Sequence, residues 1–518
     1  MQPIRNIVIV GGGTAGWLAA CYLQRTLAAD PAAGVRIRLV ESPDIGIIGV
    51  GEATVPTLRN TLAALGLPEA ALFADTDATL KNGIRFVGWR EGGAAATDRY
   101  DHPFEAPAPF GGFSTALHWL NLKQRGAPVP ALADACVAQT ALMDAALSPK
   151  TMQSPDYQAP LTYAYHLDAV KLAALLRETA LARGVEHVVG QVVEVQRCEA
   201  GIASLGLADG RRLDGDFFFD CSGFHALLLG RTLGVPWQSY AEQLPCDRAV
   251  AMPWAYADAQ GPLRSYTTAT AQPAGWTWEI DLQSRTGAGY VYASAHCSDD
   301  EALATLRRQM AGRESLAEPR FLKMRVGRHV RGWEGNCMAL GLAGGFIEPL
   351  ESTAIYLIEY ALQLFVDHLP TPVGLGPCRD RVNELMATVY DELRDFVLLH
   401  YVLSQRRDSP FWRQVTEEVA LPPSLVADLQ LWDVKLPSPT DMRQRLSLFG
   451  AHNWLYILAG LHWLPEQGAG QSPYMAPADS AAALAHVRRI RESALQQSPS
   501  MRDYARKVRA AYAGRPVG

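Results

Sequence analysis

The N-terminal segment places a glycine-rich turn directly after an apolar strand, and this arrangement restricts the fold more than any other feature of the chain. The run Asn6–Val10 (NIVIV) predicts a buried parallel strand, and the turn GGGTAGW follows it at once. Gly11, Gly13 and Gly16 have the spacing G-x-G-x-x-G, and a helix is expected over residues 17–27. In such a unit the first glycine makes the tight turn, the second leaves room for a pyrophosphate and the third packs helix on strand. The segment therefore predicts an α/β dinucleotide-binding fold.

The next strand supplies the acid that such a turn requires. Residues 35–40 predict a strand that ends at Glu41, whose carboxylate would accept a hydrogen bond from the adenosine ribose. The sequence contains no second turn of this kind, so a built-in NAD(P)H site is not indicated. This separates the chain from reductases that bind two dinucleotides.

The composition is that of a large folded protein. At 518 residues the chain is long enough for two or more lobes, and its net charge is −6 without a stripe of lysine and arginine, which argues against nucleic acid as a partner. Eight cysteines are scattered without C-x-x-C or zinc-site spacing, so buried thiols in a reducing compartment are expected and no metal site is predicted. No signal-peptide pattern or bilayer-length apolar run is found, and the predicted location is the cytoplasm.

A second informative stretch covers residues 341–365. It opens with small residues, continues through Glu351, Ser352 and Thr353, and then shows a helical pattern of apolar residues. Glycines allow a backbone to approach a flat ligand, and a helix N-terminus with free N–H groups attracts anions. Taken alone, the stretch favours an ordinary capped helix start; an anion-binding end is the alternative.

Two further patterns leave their interpretation open. Lys81 stands just before a strand, and the pattern alone predicts a lysine that points into water. Trp276 and Trp278 alternate on one strand, so they share a face that either packs on a core or forms the wall of a ligand tunnel. Two lobes are predicted: residues 1–373 form an α/β lobe with a β-rich layer, and residues 374–518 form a mostly helical lobe over the substrate site.

Five pieces of the sequence occur in one order: GGGTAGW, GEATVP, TLKNGIRF, GWTWEI and EPLESTAIY. Together they resemble the flavin-dependent tryptophan-halogenase family, and the resemblance extends from the first strand to about residue 465. The glycine turn is shared with many flavoproteins, whereas the ordered combination of the last three pieces is far more specific. The resemblance implies a FAD fold of the glutathione-reductase and PHBH-like type.

The resemblance also implies a chemistry. A separate flavin reductase supplies FADH2, reduced flavin and O2 give a flavin hydroperoxide, and chloride or bromide attacks it to give hypohalous acid. This acid passes through a tunnel to Lys81, which donates a hydrogen bond to it or carries it as a haloamine. Electrophilic substitution on an indole-like ring follows, with Glu351 beside Lys81 to orient the electrophile or accept a proton, and with the halide held by the N–H groups of Thr353 and Ala354. A homodimer is common in the family.

The remaining site residues follow from the same resemblance. Those implied for the substrate and the tunnel are His102, Phe104, Trp276, Trp278, Ser352 and Trp454. Those implied for the flavin are Gly11, Gly13, Thr14, Ala15, Gly16, Glu41, Ala53, Val192, Gly341, Leu342 and Ile355.

The sequence departs from the family pattern at three places. The usual WxWxIP ends in Asp281 instead of proline, and Ala354 replaces the usual glycine after EPLEST. Between Trp432 and Gly450 the chain has no pair of tyrosines of the kind that hold the amino-acid end of free tryptophan. Indole, a substituted indole or a larger aromatic compound is therefore favoured over free tryptophan. Two alternatives remain: an aromatic monooxygenase that hydroxylates without halide, and a non-catalytic protein that binds FAD and an aromatic ligand.

Overall fold

The computed structural model describes residues 4–44, 46, 52–92, 97–369, 375–443, 447–465 and 469–513. The chain forms two compact units, and each is built from three separate segments. The first unit comprises Met1–Asp77, Leu167–Ala241 and Lys323–Leu393, and the second comprises Ala78–His166, Glu242–Leu322 and Arg394–Gly518. The predicted boundary between residues 373 and 374 lies outside the described residues, so the predicted lobe division stays a prediction.

The first unit contains a six-stranded sheet whose first five strands are parallel. Its strands, in spatial order, are Glu186–Val189, Arg36–Glu41, Asn6–Val10, Phe217–Asp220, Cys337–Ala339 and the antiparallel edge Trp333–Glu334. Val10 is the register partner of both Val40 and Asp220, and Asp220 is the partner of Ala339. The glycine turn, Glu41 and Gly341 therefore all follow strands that end at one edge of the sheet, where ligands bind in open α/β sheets.

The helices and smaller sheets of the first unit surround this sheet. The helices are Thr14–Leu27, Leu58–Ala64, Glu69–Asp75, Ala169–Ala182, Ala354–Asp367 and the first part of Leu375–Val402. The first helix begins at Thr14 rather than at residue 17, because Gly13 is already its N-cap. Two three-stranded sheets consist of Val192–Cys198, Gly201–Leu207 and Arg212–Asp214, and of Trp237–Ser239, Gly327–His329 and Gly345–Phe346.

The second unit is built on a seven-stranded sheet, which is the predicted β-rich layer. In spatial order the strands are Arg320–Lys323, Arg248–Trp254, Thr286–Tyr292, Gly275–Asp281, Thr267–Gln272, Gly83–Val87 and Arg99–Pro103. Thr267–Gln272 and Gly83–Val87 run parallel. Neighbouring strands run antiparallel from Arg248–Trp254 through Thr286–Tyr292 and Gly275–Asp281 to Thr267–Gln272, and Gly83–Val87 is antiparallel to Arg99–Pro103. The short strand Thr79–Lys81 pairs separately with Ala164–Leu167.

The second unit also contains many helices, and those after residue 393 agree with the helical pattern predicted for the C-terminal part of the chain. Its helices are Thr115–Gln124, Leu132–Cys136, Gln139–Asp144, Asp299–Gln309, Pro410–Arg413, Pro423–Trp432, Ala451–Gly460, Pro477–Gln497 and Met501–Ala513. Within the described ranges, no helix has the length and apolar character needed to cross a membrane.

Candidate functional site

The three glycines of the turn meet different surroundings. Gly11 has φ +116°, and a Cβ there would lie 2.3 Å from the carbonyl oxygen of Cys221. A Cβ on Gly16 would lie 1.9 Å from the carbonyl oxygen of Gly11, whereas a Cβ on Gly13 would meet no described atom within 4 Å. Gly13 is also the N-cap of the helix Thr14–Leu27 and supplies no side-chain cap. Two glycines are thus required by the backbone, and the third leaves space at a helix N-terminus that suits a pyrophosphate.

The predicted ribose-binding acid faces this turn. A Cβ on Gly12 would lie 1.4 Å from Oε2 of Glu41, so the carboxylate lies directly over the glycines. Its other oxygen, Oε1, lies 2.6 Å from Nε2 of His187, and the His187 ring packs edge-on against Trp17. The sequence interpretation missed His187, because nothing in the local pattern of its strand links it to Glu41.

The small residues after the strand Cys337–Ala339 also reach the turn. Gly341 has φ +59°, and its Cβ would lie 3.1 Å from Cβ of Ala15 and 3.6 Å from Ile358. Gly345 is different, because a Cβ added there would lie 2.7 Å from the Tyr390 ring, so the absence of a side chain makes room for that ring. The other residues implied for the flavin lie at the strand Glu52–Ala53, at the start of Val192–Cys198, in the turn Gly341–Ala343 and in the first turn of Ala354–Asp367. Of the motif GEATVP, Gly51 lies outside the described residues.

The helix start after EPLEST is confirmed, but its capping differs from the expectation. Pro349–Glu351 forms a single 3-10 turn, Ser352 has φ 62°, and the helix begins at Ala354 with Thr353 as N-cap. The Thr353 side chain makes no cap hydrogen bond. A serine in the left-handed region is costly unless its surroundings hold it there, and such positions cluster at functional sites. Glu351 is 1% exposed.

Lys81 lies in the second unit and is completely buried. The pattern-based prediction that it points into water is wrong: its exposed fraction is 0%. Its strand Thr79–Lys81 pairs with Ala164–Leu167, and the next residue, Asn82, donates its backbone N–H to the carbonyl of Ser265 at 2.7 Å. The Lys81 Nζ lies 5.4 Å from the centroid of the Phe104 ring. A buried ammonium is costly, so a lysine held in this way is a candidate for chemistry.

The positive charge of Lys81 affects the pKa of a nearby histidine, His166. Burial lowers the pKa of His166 well below its ordinary value, and the positive charge of Lys81 lowers it further. His166 is therefore neutral near pH 7. It lies 3.4 Å from Oγ1 of Thr79 and 2.9 Å from Oγ1 of Thr267.

The predicted substrate aromatics belong to a larger cluster. His102 Nε2 lies 2.8 Å from Oδ1 of Asn453, and the His102 and Trp454 rings both contact the ring of Phe396, at 5.7 and 4.8 Å between centroids. Phe396 in turn stacks on Phe449 at 3.9 Å. Phe396, Phe449 and Asn453 were missed, because isolated aromatic and amide residues in a helical pattern carry no signal of a binding site.

Trp276 and Trp278 share one face of the strand Gly275–Asp281, as predicted. Their ring centroids are 6.2 Å apart, and a Cβ on Gly289 would lie 2.0 Å from the Trp278 ring. Their other strand partners, Ala269 and Ala271, are small as well. The two indole rings are tilted by 58° to each other, and small residues leave room for the Trp278 ring on both neighbouring strands. Among the described residues, no group of three His, Cys, Asp or Glu side chains could hold a metal ion.

Comparison with known proteins agrees with this arrangement. The sequence profile of the tryptophan halogenase family matches residues 6–476. The tryptophan 6-halogenase SttH of Streptomyces toxytricini is 35% identical over 524 residues, which cover 96% of this chain and 97% of that protein.

Solved structures give the same result. A tryptophan halogenase from Shewanella frigidimarina superimposes with a TM-score of 0.91 at 34% identity and covers 98% of both chains. BrvH, a flavin-dependent halogenase from Brevundimonas sp. BAL3, gives 0.87 at 35% identity and covers 98% of this chain and 99% of its own. The predicted FAD fold is thereby confirmed, and the chain belongs to the tryptophan halogenase family of flavin-dependent enzymes.

Proposed function

We propose that this halogenase converts halide to hypohalous acid with FADH2 and O2 and transfers the halogen, through Lys81, to an indole-like aromatic ring. The observation that carries the proposal is the completely buried Lys81, whose ammonium faces the Phe104 ring at 5.4 Å. Water screens the charge of an exposed ammonium and competes for its hydrogen bonds, whereas a buried ammonium can donate to a small oxidant with little competition from solvent.

The role of each residue follows from the electron balance of the transfer. Lys81 donates a hydrogen bond to the oxygen of hypohalous acid, which weakens the oxygen–halogen bond. A pair of ring electrons forms the new carbon–halogen bond, the oxygen leaves with the bonding pair and, after taking up a proton, becomes water. The ring then loses its proton to the carboxylate of Glu351. The halide that enters the reaction is held by the N–H groups of Thr353 and Ala354, where no Thr353 side-chain cap competes.

The residues of the first unit fit FAD. The space beside Gly13 and the uncapped N-terminus of the helix Thr14–Leu27 suit the pyrophosphate, and Glu41, already directed over the turn, suits the ribose. When bound and reduced, FAD supplies the electrons that activate O2. A separate flavin reductase is the proposed partner, since the sequence holds one dinucleotide turn.

An indole-like substrate is favoured by the segment between Trp432 and Gly450. Of its two acids, Asp433 and Asp441, the second accepts hydrogen bonds from Ser438 and forms an ion pair with Lys435, so this carboxylate is engaged locally. The name of the relative from Streptomyces toxytricini refers to tryptophan. Free tryptophan therefore belongs in the test beside indole.

The test supplies the protein with a flavin reductase, NADH, FAD, O2, bromide or chloride, and a panel that contains indole, substituted indoles and free tryptophan. Mass spectrometry should show the halogen isotope pattern in an indole product, with a higher rate for indole than for free tryptophan. Oxygenated products without halogen would support the monooxygenase instead. Binding of FAD and indole with no product of either kind would support the non-catalytic alternative.

A further inference from the structure

Asp281, the residue that stands where the family pattern has proline, forms a buried ion pair. Arg264 donates through Nη2 to Oδ1 at 2.7 Å and through Nε to Oδ2 at 3.0 Å, and its backbone N–H donates to Oδ2 at 3.0 Å. Thr286 donates to Oδ1 at 3.1 Å. Burial alone would raise the pKa of the Asp281 carboxyl, but the charge and hydrogen bonds of Arg264 lower it below the usual value. The pair is therefore charged near neutral pH.

The same residue contacts the strand that carries Lys81. The backbone carbonyl of Asp281 accepts a hydrogen bond from Oγ1 of Thr79 at 2.6 Å. Thr79 and Lys81 are two positions apart on one strand, so their side chains share a face. The end of the strand Gly275–Asp281 thus holds the face from which the Lys81 amine projects.

Charged and titratable groups from several elements surround this face. They are His166 on the paired strand, Asp281 on the strand Gly275–Asp281, and Arg264 before Thr267–Gln272; the uncharged Phe104 ring faces the ammonium. Lys81, Asp281 and Arg264 all act electrostatically on His166, so each of the three charges lies within range of that ring. Glu279 lies on the far side of Arg264, at 3.0 Å from its Nη1.

We propose that the Arg264–Asp281 ion pair positions the lysine strand and sets the electrostatic field at the Lys81 amine during halogen transfer. The inference rests on the proposed role of Lys81. Both members are positioning residues: Asp281 acts on Thr79 through its backbone carbonyl, and Arg264 holds Asp281 and acts through its charge. A proline at position 281 would offer no carboxylate to Arg264, so this arrangement belongs to the present chain and not to the pattern from which it departs.

The test follows the titration of Lys81 itself. Lysine is rare in the chain, so selective ¹³C labelling of the lysine ε-carbons gives few signals, and the Lys81→Met variant assigns the one from Lys81. Asp281→Asn leaves the Arg264 cation uncompensated and should move the Lys81 titration to lower pH. Arg264→Gln leaves the carboxylate and should move it to higher pH, and the double variant should return it toward the wild-type position.

If the ion pair had only a structural role, the two single variants would not shift the Lys81 titration in opposite directions. Asp395→Asn is the matched control, because Asp395 forms another buried pair in the second unit, with Arg394 at 2.7 Å. It should cost stability and leave the Lys81 titration unchanged. Thermal unfolding checks each variant; if Arg264→Gln does not fold, Asp281→Asn against the double variant carries the test.

The readout does not need halogenation, so the two proposals can fail separately. Opposite shifts in a protein that halogenates nothing would support the ion-pair inference and remove the proposed function. Normal halogenation with unshifted Lys81 titration in Asp281→Asn and Arg264→Gln would overturn the inference and leave the function standing.

Discussion

The glycine turn of the first unit, residues 11–16, and the lysine strand of the second, Thr79–Lys81, differ in what determines their structure. In the turn, the backbone requires glycine: Gly11 has a positive φ, and a Cβ added to Gly11 or Gly16 would lie 2.3 or 1.9 Å from a backbone oxygen. The strand Thr79–Lys81 pairs with Ala164–Leu167, its Thr79 hydroxyl donates to the carbonyl of Asp281, and its buried Lys81 acts electrostatically on His166. In the proposed function, the first region offers N–H groups to an anionic cofactor, and the second holds a cation for a small oxidant.

Two buried carboxylates, one in each unit, differ in their hydrogen-bond partners and in the direction of their pKa shifts. Glu359 in the first unit accepts a hydrogen bond from Thr57 at 2.9 Å, and burial raises its pKa to about 7. Asp281 in the second unit has Arg264 as a partner, and its pKa is lowered. For Glu359 burial is the largest influence and its donors are hydroxyl groups, whereas for Asp281 the charge and hydrogen bonds of Arg264 outweigh burial. The following predictions are ordered by expected effect.

The largest effect is expected from Lys81→Met, which would break the proposed division of labour most directly. The change keeps the length and apolar stem of the side chain but removes the hydrogen-bond donor. Halogenation of indole should fall about a thousandfold, the order found when a donor to a transition state is removed. FAD binding should be unchanged, because the cofactor residues lie in the first unit. Product formation is measured by mass spectrometry and FAD binding by fluorescence.

Lys150→Met is the matched control. Lys150 is also completely buried in the second unit, and its Nζ faces the Tyr163 ring at 5.2 Å and donates to the carbonyl of Pro155. This variant should lose stability and retain halogenation per folded molecule. Equal losses of activity in the two variants would show that a buried lysine matters here only for folding.

A pair of glycine variants sharpens the statement that the backbone of the turn requires glycine. Gly11→Ala places a Cβ against Cys221 and should lower the free energy of unfolding by about 3 kcal/mol. Gly13→Ala meets no described atom within 4 Å, so it should cost less than about 1 kcal/mol. It should nevertheless weaken FAD binding about tenfold by filling the cofactor's space. Urea unfolding and FAD titration measure the two effects; equal stability losses would contradict the assignment.

How much of each region can be predicted from sequence depends on whether its structure is determined by local backbone constraints or by contacts between distant residues. The turn, the strand Asn6–Val10 and the acid Glu41 were predictable, because glycine suits a positive φ and close backbone contacts, the turn follows the strand directly, and Glu41 ends the next strand. The helix start at Ala354 was predictable for a similar local reason.

The lysine strand was not predictable from local pattern. Its partners His166, Arg264 and Asp281 are distant in sequence from Lys81, and a lysine before a strand is usually exposed. Only the family resemblance singled Lys81 out, and it gave no information on Asp281, because the chain departs from the pattern there. Phe396 and Phe449 were missed because their contact joins a helix to a bend more than fifty residues later, and local periodicity cannot relate the two.

A pH experiment on Glu359 tests the contrast between the two carboxylates. Its folded pKa of about 7 lies above the ordinary value, so the folded state binds the extra proton. Stability contributed by the protonated form is present below the ordinary pKa and is lost as pH rises through the folded one. Glu359→Gln should therefore match the wild type at about pH 4 and exceed its free energy of unfolding by about 2 kcal/mol at about pH 8. Denaturant unfolding at both pH values measures this; a constant difference would contradict the raised pKa.

The smallest effect is expected from Ala354→Gly, which restores the residue usual in the family pattern. The methyl group lies on the first residue of the helix Ala354–Asp367, beside the amides assigned to the halide. Its removal should cost about 0.5 kcal/mol of stability. Because the change leaves more room beside the amides, the preference for the larger bromide over chloride should rise about threefold, and this corresponds to less than about 1 kcal/mol.

Competition between the two halides, read as the ratio of brominated to chlorinated indole, measures this preference without reference to enzyme concentration. Ala361→Gly, at a buried position of the same helix where Ala354 is half-buried, should cost at least as much stability and leave the ratio unchanged. If both variants keep the wild-type ratio, the halide is not held by the amides of Thr353 and Ala354. The anion site of the first unit would then have to be sought at another set of backbone N–H groups, while the assignment of Lys81 would be unaffected, since it rests on contacts within the second unit.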